Sequence, residues 1–281
     1  MKTNIIIDST ADLRPGLRDR FTIVPLTVSF GDREYVDGVT ITHKEFYEKL
    51  IESDVLPTTS QASPAAFEDV FAQVAARGEE AVVITLASGL SGTCQSAMIA
   101  AQDYPGIIHV VDGTSVAIGT GILAELALRY RDQGLSASEI AQKLERDRED
   151  ICVVALLDTL EYLKKGGRIS SAAAFAGGIL SIKPVVSIKD GQIRMLGKAR
   201  GSRQGNNLLV QEIRKAGGVD FDRPLLLGYT GLTDVLLKKY IEDSRAIWED
   251  GAEKLDYVSV GSVVGTHAGP GAIAVAFFRK G

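Results

Sequence analysis

Val82–Met98 reads VVITLASGLSGTCQSAM, and its three parts decide the architecture. Val82–Leu86 is an unbroken apolar run rich in β-branched residues, the composition of a strand covered on both faces. Ser88, Gly89, Ser91 and Gly92 make a turn, and Thr93–Ala101 resumes with helical spacing. A strand, a Gly/Ser turn and a helix start together aim backbone N–H groups and small hydroxyls at one spot, with the positive end of the helix dipole behind them. That is a potential anion site. An ordinary strand–helix connection capped by Ser91 leaves the same pattern, so the pattern alone does not separate the two.

Outward from this stretch the same grammar repeats. Asn4–Ile7 is a short buried strand ending at Asp8-Ser9-Thr10, on the strand edge where ligands gather in parallel α/β sheets, although helix capping accounts for Ser9 and Thr10 as well. Ile23–Phe30 and Glu34–Ile41 flank Gly31-Asp32 as a hairpin. Thr42-His43-Lys44-Glu45 fits a capping box, which predicts His43 as a solvent-exposed residue of a first helical turn. The polar loop from Pro57 to Ser63 precedes Pro64 at a helix start and carries more hydroxyls than capping needs. With a strand at Ile107–Asp112 and helices over 116–132 and from Ser136, the first half reads as a parallel sheet with helices on both faces.

Near Asp150 the order changes. Ile151–Leu157 is a strand and 158–165 a short helix closed by Gly166-Gly167; Lys183–Ile188 and Gln192–Gly197 form a hairpin around Lys189-Asp190-Gly191. Strands at 224–229, 257–260 and 272–278 alternate with helices, and His267 falls in the Gly-rich loop Gly265–Gly271. The fold expected is two-domain α/β: residues 1–150 with a parallel sheet and 151–281 with a mixed, more antiparallel one.

Composition narrows the function. The 281 residues are 45% apolar and 24% charged, ordinary for a globular protein with a sizeable core. A net charge of −5 without a Lys/Arg cluster argues against a nucleic-acid partner. No run approaches the ~18 apolar residues of a spanning helix, and MKTNIIIDST is too short for a signal-peptide core. A cytoplasmic chain without stable membrane insertion is expected. Cys94 and Cys152 stand alone and the three histidines match no ligand spacing, so no metal and no disulfide scaffold is expected. G-x-x-x-x-G-K-[ST] and a strand-anchored G-x-G-x-x-G are both absent, which leaves nucleotide binding unsupported.

Candidate anion-binding residues are spread over distant segments: Thr59-Ser60-Gln61, Ser91-Gly92-Thr93, Arg200 and His267. One catalytic alternative uses the same residues. Ser91 on a strand–turn–helix, aspartates between, and His267 near the end follow the hydrolase order Ser…Asp…His, so an acyl-ester serine hydrolase is the competing reading. Its local motif, Gly89-Leu90-Ser91-Gly92, misses G-x-S-x-G by one residue.

TTSQAS at 58–63, LASGLSGTCQSA at 86–97, DTLEYLKKGGRIS at 158–170, SIKPVVSIKDGQI at 181–193, GKARG at 197–201 and GTHAGPGAIAVAF at 265–277 occur in one order along the chain. Together they resemble the DegV family, whose members serve as the fatty-acid-binding subunit of bacterial fatty acid kinase. Ala62 is a small departure, since Pro is common after TSQ. The resemblance implies a two-domain fold with an apolar tunnel holding one long-chain fatty acid as its bound ligand, without another cofactor. It places Thr59, Ser60, Ser91, Gly92, Arg200 and His267 around the carboxylate. It also implies a non-catalytic subunit whose partner, an ATP-dependent kinase subunit, phosphorylates the carboxylate to feed phospholipid synthesis. The small-residue segment SAAAFAGGIL, with Ala173, Ala176 and Ile179, is the expected tunnel lining. The physics fits: a buried carboxylate needs donors, and a tail of about fourteen methylenes at ~0.8 kcal/mol each offers about 11 kcal/mol before ordering costs.

Overall fold

The computed structural model describes residues 2–169 and 182–281. Ala173, Ala176 and Ile179 lie outside the described residues. Strands β1 (Thr3–Asp8), β2 (Thr22–Val24), β6 (Glu80–Thr85) and β7 (Ile108–Asp112) make an all-parallel sheet in the order β2-β1-β6-β7. Both faces of its central strands are buried. Ile5, Ile7, Val82 and Ile84 face one core and Ile6, Ala81 and Val83 the other, which is why the sequence shows no polar alternation here.

A second sheet extends the hairpin read around Gly31-Asp32 by a strand that the sequence did not disclose. β3 (Thr27–Phe30) pairs antiparallel with β4 (Arg33–Val36) and, on its other side, with β5 (Thr58–Ser60). The β3–β4 hairpin follows the turn chemistry of Gly31, whereas β5 is the stretch expected to be a loop. Helix α1 (His43–Glu52) covers it, with Phe46 on Phe30 and Lys49 over Tyr35, while α2 (Pro64–Ala76) packs on β2, β6 and the helix that follows β6. Thr42 and Glu45 form the capping box, and Ser63 caps α2 ahead of Pro64. His43 is not on an open surface. It packs toward Gly261, and burial lowers its pKa below the ordinary histidine value.

The later half builds a six-stranded mixed sheet from β8 (Ile151–Leu156), β9 (Ile182–Lys189), β10 (Gln192–Arg200), β11 (Leu226–Tyr229), β12 (Tyr257–Ser259) and β13 (Ile273–Phe278), in the order β10-β9-β8-β13-β11-β12. All its pairings are antiparallel except β11–β12. Between β6 and β7 the chain forms α3 (Thr93–Ala101), and between β7 and β8 it forms α4 (Ile118–Asp132) and α5 (Ala137–Asp147). Beyond β8 come α6 (Glu161–Lys165), α7 (Gly201–Lys215), α8 (Val235–Asp243) and α9 (Ser262–Ala268).

Helix α4 is sandwiched between the two large sheets. One core cluster joins Ile7, Ile84 and Leu123 to Val153, Leu226 and Phe278, so the halves share apolar packing through this helix. The outer face of the six-stranded sheet carries Val154, Leu156 and Val275 against Leu209, Leu237 and Trp248. Part of the inner face, beside the start of α4, lines a cavity.

Candidate functional site

The cavity measures about 450 Å³, within the ~300–1,000 Å³ of small-molecule sites. Strand period selects its floor. On β8, Val153 and Ala155 line it while Val154 and Leu156 turn to the outer core. A single cross-strand row, Gly228–Ala274–Ala155–Val186, runs over four neighbouring strands along that floor. Three of its four members are Gly or Ala, so the row stands low as a trough along the cavity, with Ile118 and Val260 closing in over Gly228. The start of α4 (Val116–Ile118) and α9 (Val263, Val264) also border the cavity.

Polar side chains at the cavity come from segments far apart in the chain. Thr59 and Ser60 stand on β5, Ser91 and Gly92 on the turn before α3, His267 near the end of α9, and Arg168 just beyond α6. Helix α9 packs on β3, β5, α1 and α6, and this brings His267 Nε2 to 3.0 Å from Thr59 Oγ1. His267 therefore sits in a helix and not in the loop expected for GTHAGPG. Its ring presses on α6: a Cβ on Gly166 would lie 2.1 Å from Nδ1, so only glycine admits the imidazole there.

Burial, aided by the Arg168 guanidinium, holds the His267 imidazole down at about 4. The ring is thus neutral at pH 7 and carries one N–H. Nδ1 is buried with no hydrogen-bond partner among the described residues. An orphaned acceptor is cheaper than an orphaned donor, which assigns the proton to Nε2, donating to Thr59 Oγ1. The Thr59 hydroxyl then has its own proton to give. Ser91 Oγ accepts from the Thr93 N–H at 3.3 Å and lies 2.9 Å from Thr93 Oγ1. With Thr93 donating to it, Ser91 also presents an O–H to the cavity. Gly92 opens α3 without a side-chain cap, and a Cβ there would stand 2.1 Å from Gln61 Oε1, whose amide donates to Ser96 Oγ at 3.0 Å.

Arg200 is not part of this constellation. It ends β10, the outermost strand, opposite Ile182, is exposed, and its backbone N–H donates to Gln204 Oε1 at 2.6 Å. Among the described residues the cation at the cavity is Arg168, tied by Nε to Leu90 O at 3.1 Å and by Nη1 to Gly166 O at 2.6 Å. Gly-Gly-Arg after a short helix was its trace in the sequence. Thr10 also lines the cavity, but its hydroxyl is committed to Asp8 Oδ1 at 2.6 Å.

The hydrolase alternative finds no support in this geometry. Ser91 is bonded to Thr93 and His267 to Thr59, and no carboxylate orients Nδ1 among the described residues. Among those residues there is also no cluster of three or more His, Cys, Asp or Glu suited to a metal, and no helix long and apolar enough to cross a membrane.

A family model described as "Uncharacterised protein, DegV family" matches residues 2–280. The chain belongs to the DegV family. A DegV domain-containing protein of Caldanaerobacter subterraneus is 32% identical over 99% of both chains, and one of Deinococcus radiodurans is 33% identical over 98% of both. Among solved structures, one described as fatty acid binding of a DegV family protein from Thermus thermophilus matches this DegV chain with a TM-score of 0.89 and 31% identity, covering 100% of both. A stearic acid-binding protein from Eubacterium ventriosum matches with 0.86 and 30%, over 99% of this chain and 98% of its own. The Streptococcus pneumoniae Fatty Acid Kinase (Fak) B3 protein, loaded with linoleic acid, shares the fold at a TM-score of 0.86 and 23% identity, over 100% of both chains.

Proposed function

We propose that this DegV protein binds one long-chain fatty acid, with the acyl chain on the small-residue trough and the carboxylate at the polar cluster. The observation that carries the reading is the convergence of Thr59, Ser91 and His267 at one apolar cavity. Two hydroxyls with free protons, the Gly92 turn at the start of α3 and the Arg168 guanidinium supply donors and positive potential for an anion that would be costly to bury alone. Ser60, beside Thr59, borders the same region. The described binding of fatty acids by the relatives at 30% and 31% identity supports the same ligand class.

The finer reading is that the protein acts as a non-catalytic carrier. It would present the carboxylate to a separate ATP-dependent fatty acid kinase subunit for acyl-phosphate formation feeding phospholipid synthesis, in the cytoplasm. The family resemblance supports it, and the name of the Streptococcus relative is in keeping with it. In this scheme Arg200, exposed at the outer strand, would serve the partner and not the lipid. The units 1–150 and 151–281 would be the two walls of the cavity.

Mass spectrometry of the purified chain, native and then denatured, with solvent extraction, tests the reading. A native mass above the chain mass by one fatty acid, with that acid in the extract, is the expected result. A mass that stays that of the bare chain after incubation with palmitate and oleate overturns it.

A further inference from the structure

Segment Asp8–Asp12 carries none of the three central polar side chains, yet its hydrogen bonds reach the backbone at the segments of Ser91 and His267 and at the entry to the strand paired with that of Thr59. Asp8 Oδ2 accepts the Leu86 N–H at 2.7 Å, at the root of the turn that holds Ser91. Ser9 Oγ accepts the Leu26 N–H at 3.1 Å, at the entry to β3, which pairs with Thr59 on β5. Asp12 Oδ1 accepts the Gly261 N–H at 2.9 Å, at the start of α9 and so on the arm of His267.

The last of these bonds matters most, because α9 cannot place itself. It has seven residues, too few for an independent helix, and its N-cap Gly261 has no side chain to close the first turn. Ser262 Oγ at its first position has no partner among the described residues. The start of the helix is gripped from outside, by Asp12 on Gly261 and by the Tyr47 hydroxyl donating to Val260 O at 3.0 Å. We propose that Asp12 is a positioning residue: by accepting the Gly261 N–H it registers α9, and with it His267, against Thr59 and Ser91, and so sets the preference of the cluster for a carboxylate head group. The consequence for the head group rests on the reading of the cavity as a fatty-acid site; the registration of His267 does not.

The environment of Asp12 identifies which property acts. The side chain is 5% exposed and its Oδ2 has no partner among the described residues. Its surroundings include the buried Asp37 carboxyl, the Tyr47 phenol and the His43 ring, whose Nε2 lies 3.3 Å from where a Cβ of Gly261 would stand. Burial first, with Asp37 adding to it, pushes the Asp12 carboxyl well above the ordinary carboxylate range. Charged or neutral, the carboxyl offers an oxygen to the Gly261 N–H. The acceptor carries the role, and the charge does not.

The test compares the full chain with D12N, which keeps an acceptor, and with D12A and the volume-matched D12L, which remove it; either of the last two that folds serves. Affinities for palmitate and for hexadecanol, which share a tail, are measured for each. D12N is expected to keep the acid-over-alcohol preference within about twofold, and D12A or D12L to lose about tenfold of it with the alcohol affinity held. In an H267A background the same Asp12 change should subtract nothing further. Without any lipid, the His267 imidazole resonances should move in D12A and stay in D12N, which keeps the registration testable if the wild-type chain refuses palmitate. An unchanged preference in D12A, an equal loss for acid and alcohol, additive losses with H267A, or a D12N as defective as D12A would each overturn the proposal.

Discussion

Thr59 Oγ1 and His267 Nε2 lie 3.0 Å apart across 208 residues of sequence, joining β5 to α9 at the wall of the cavity. The bond turns a neutral imidazole into a device that leaves the Thr59 proton available for an incoming anion. Replacing Thr59 by Val keeps the shape and removes that proton. A hydrogen bond to a charged group contributes ~1.5–3 kcal/mol, so T59V is expected to weaken palmitate by at least about tenfold and hexadecanol far less. Competition against a fluorescent fatty acid measures both. Equal losses for the two ligands would place Thr59 in the packing and not at the head group.

His267 also makes the stability of the ligand-free protein depend on pH in a definite direction. Its folded pKa of about 4 lies below the ordinary 6.5, so the unfolded chain binds a proton that the folded chain refuses between those values. The contribution is fully present above 6.5 and is lost as pH falls toward 4. The buried Asp8 and Asp12 carboxyls, both shifted up, act in the opposite sense, so the difference between wild type and H267Q isolates the histidine. Urea unfolding from pH 7 to pH 4 should show the wild type losing more stability than H267Q. Parallel curves would mean that the ring is exposed to solvent.

Arg168 and Arg200 should separate cleanly. Arg168 is the second cause, after burial, of the depressed histidine, and it borders the cavity; Arg200 does neither. An NMR titration of His267 should move up in R168Q and remain in place in R200Q, and palmitate retention should fall only in R168Q. Were R200Q the variant that lost lipid, the carboxylate would have to lie near the outer strand.

What the sequence disclosed, and what it hid, follows from the range of the forces involved. The buried run before Ser91, the capping box at Thr42 and the β9–β10 hairpin are set by neighbours within a few residues, and each was legible. Strand β5 was not, because three polar residues become a strand only where β3 supplies an edge. The helix around His267 was hidden by its glycines. Gly265 lets α9 settle on α1, where a Cβ would come within 2.6 Å of the Tyr47 hydroxyl, so tertiary packing overrides a poor helical propensity. Exchanging Arg200 for Arg168 as the cavity cation has a similar origin. The motif GKARG marks a strand end, but where that end lies depends on sheet order and on the register shift between Met195 and Gly197, neither of which is local. That Thr59, Ser91 and His267 border one cavity was foreseen only through the family resemblance, since nothing in their spacing along the chain brings them together.

If the acyl chain lies on the trough, its small residues set the chain length that the protein accepts. Ala274 sits in the middle of the Gly228–Ala274–Ala155–Val186 row and borders the cavity, between Ala155 and Gly228, over which Ile118 and Val260 close in. A leucine at this position would project its branched end across the trough, in the path of the acyl chain, while the outer core of Val275 and Phe277 stays untouched. Each methylene denied burial costs ~0.8 kcal/mol, so a block that excludes three or four of them should cost long chains about tenfold or more while leaving shorter acids close to their wild-type affinity. Extraction and chain-length profiling of lipid bound by A274L should therefore show a shift toward shorter acids, with the melting midpoint near that of wild type. An unchanged profile would mean that the acyl chain runs elsewhere than along this row of strands.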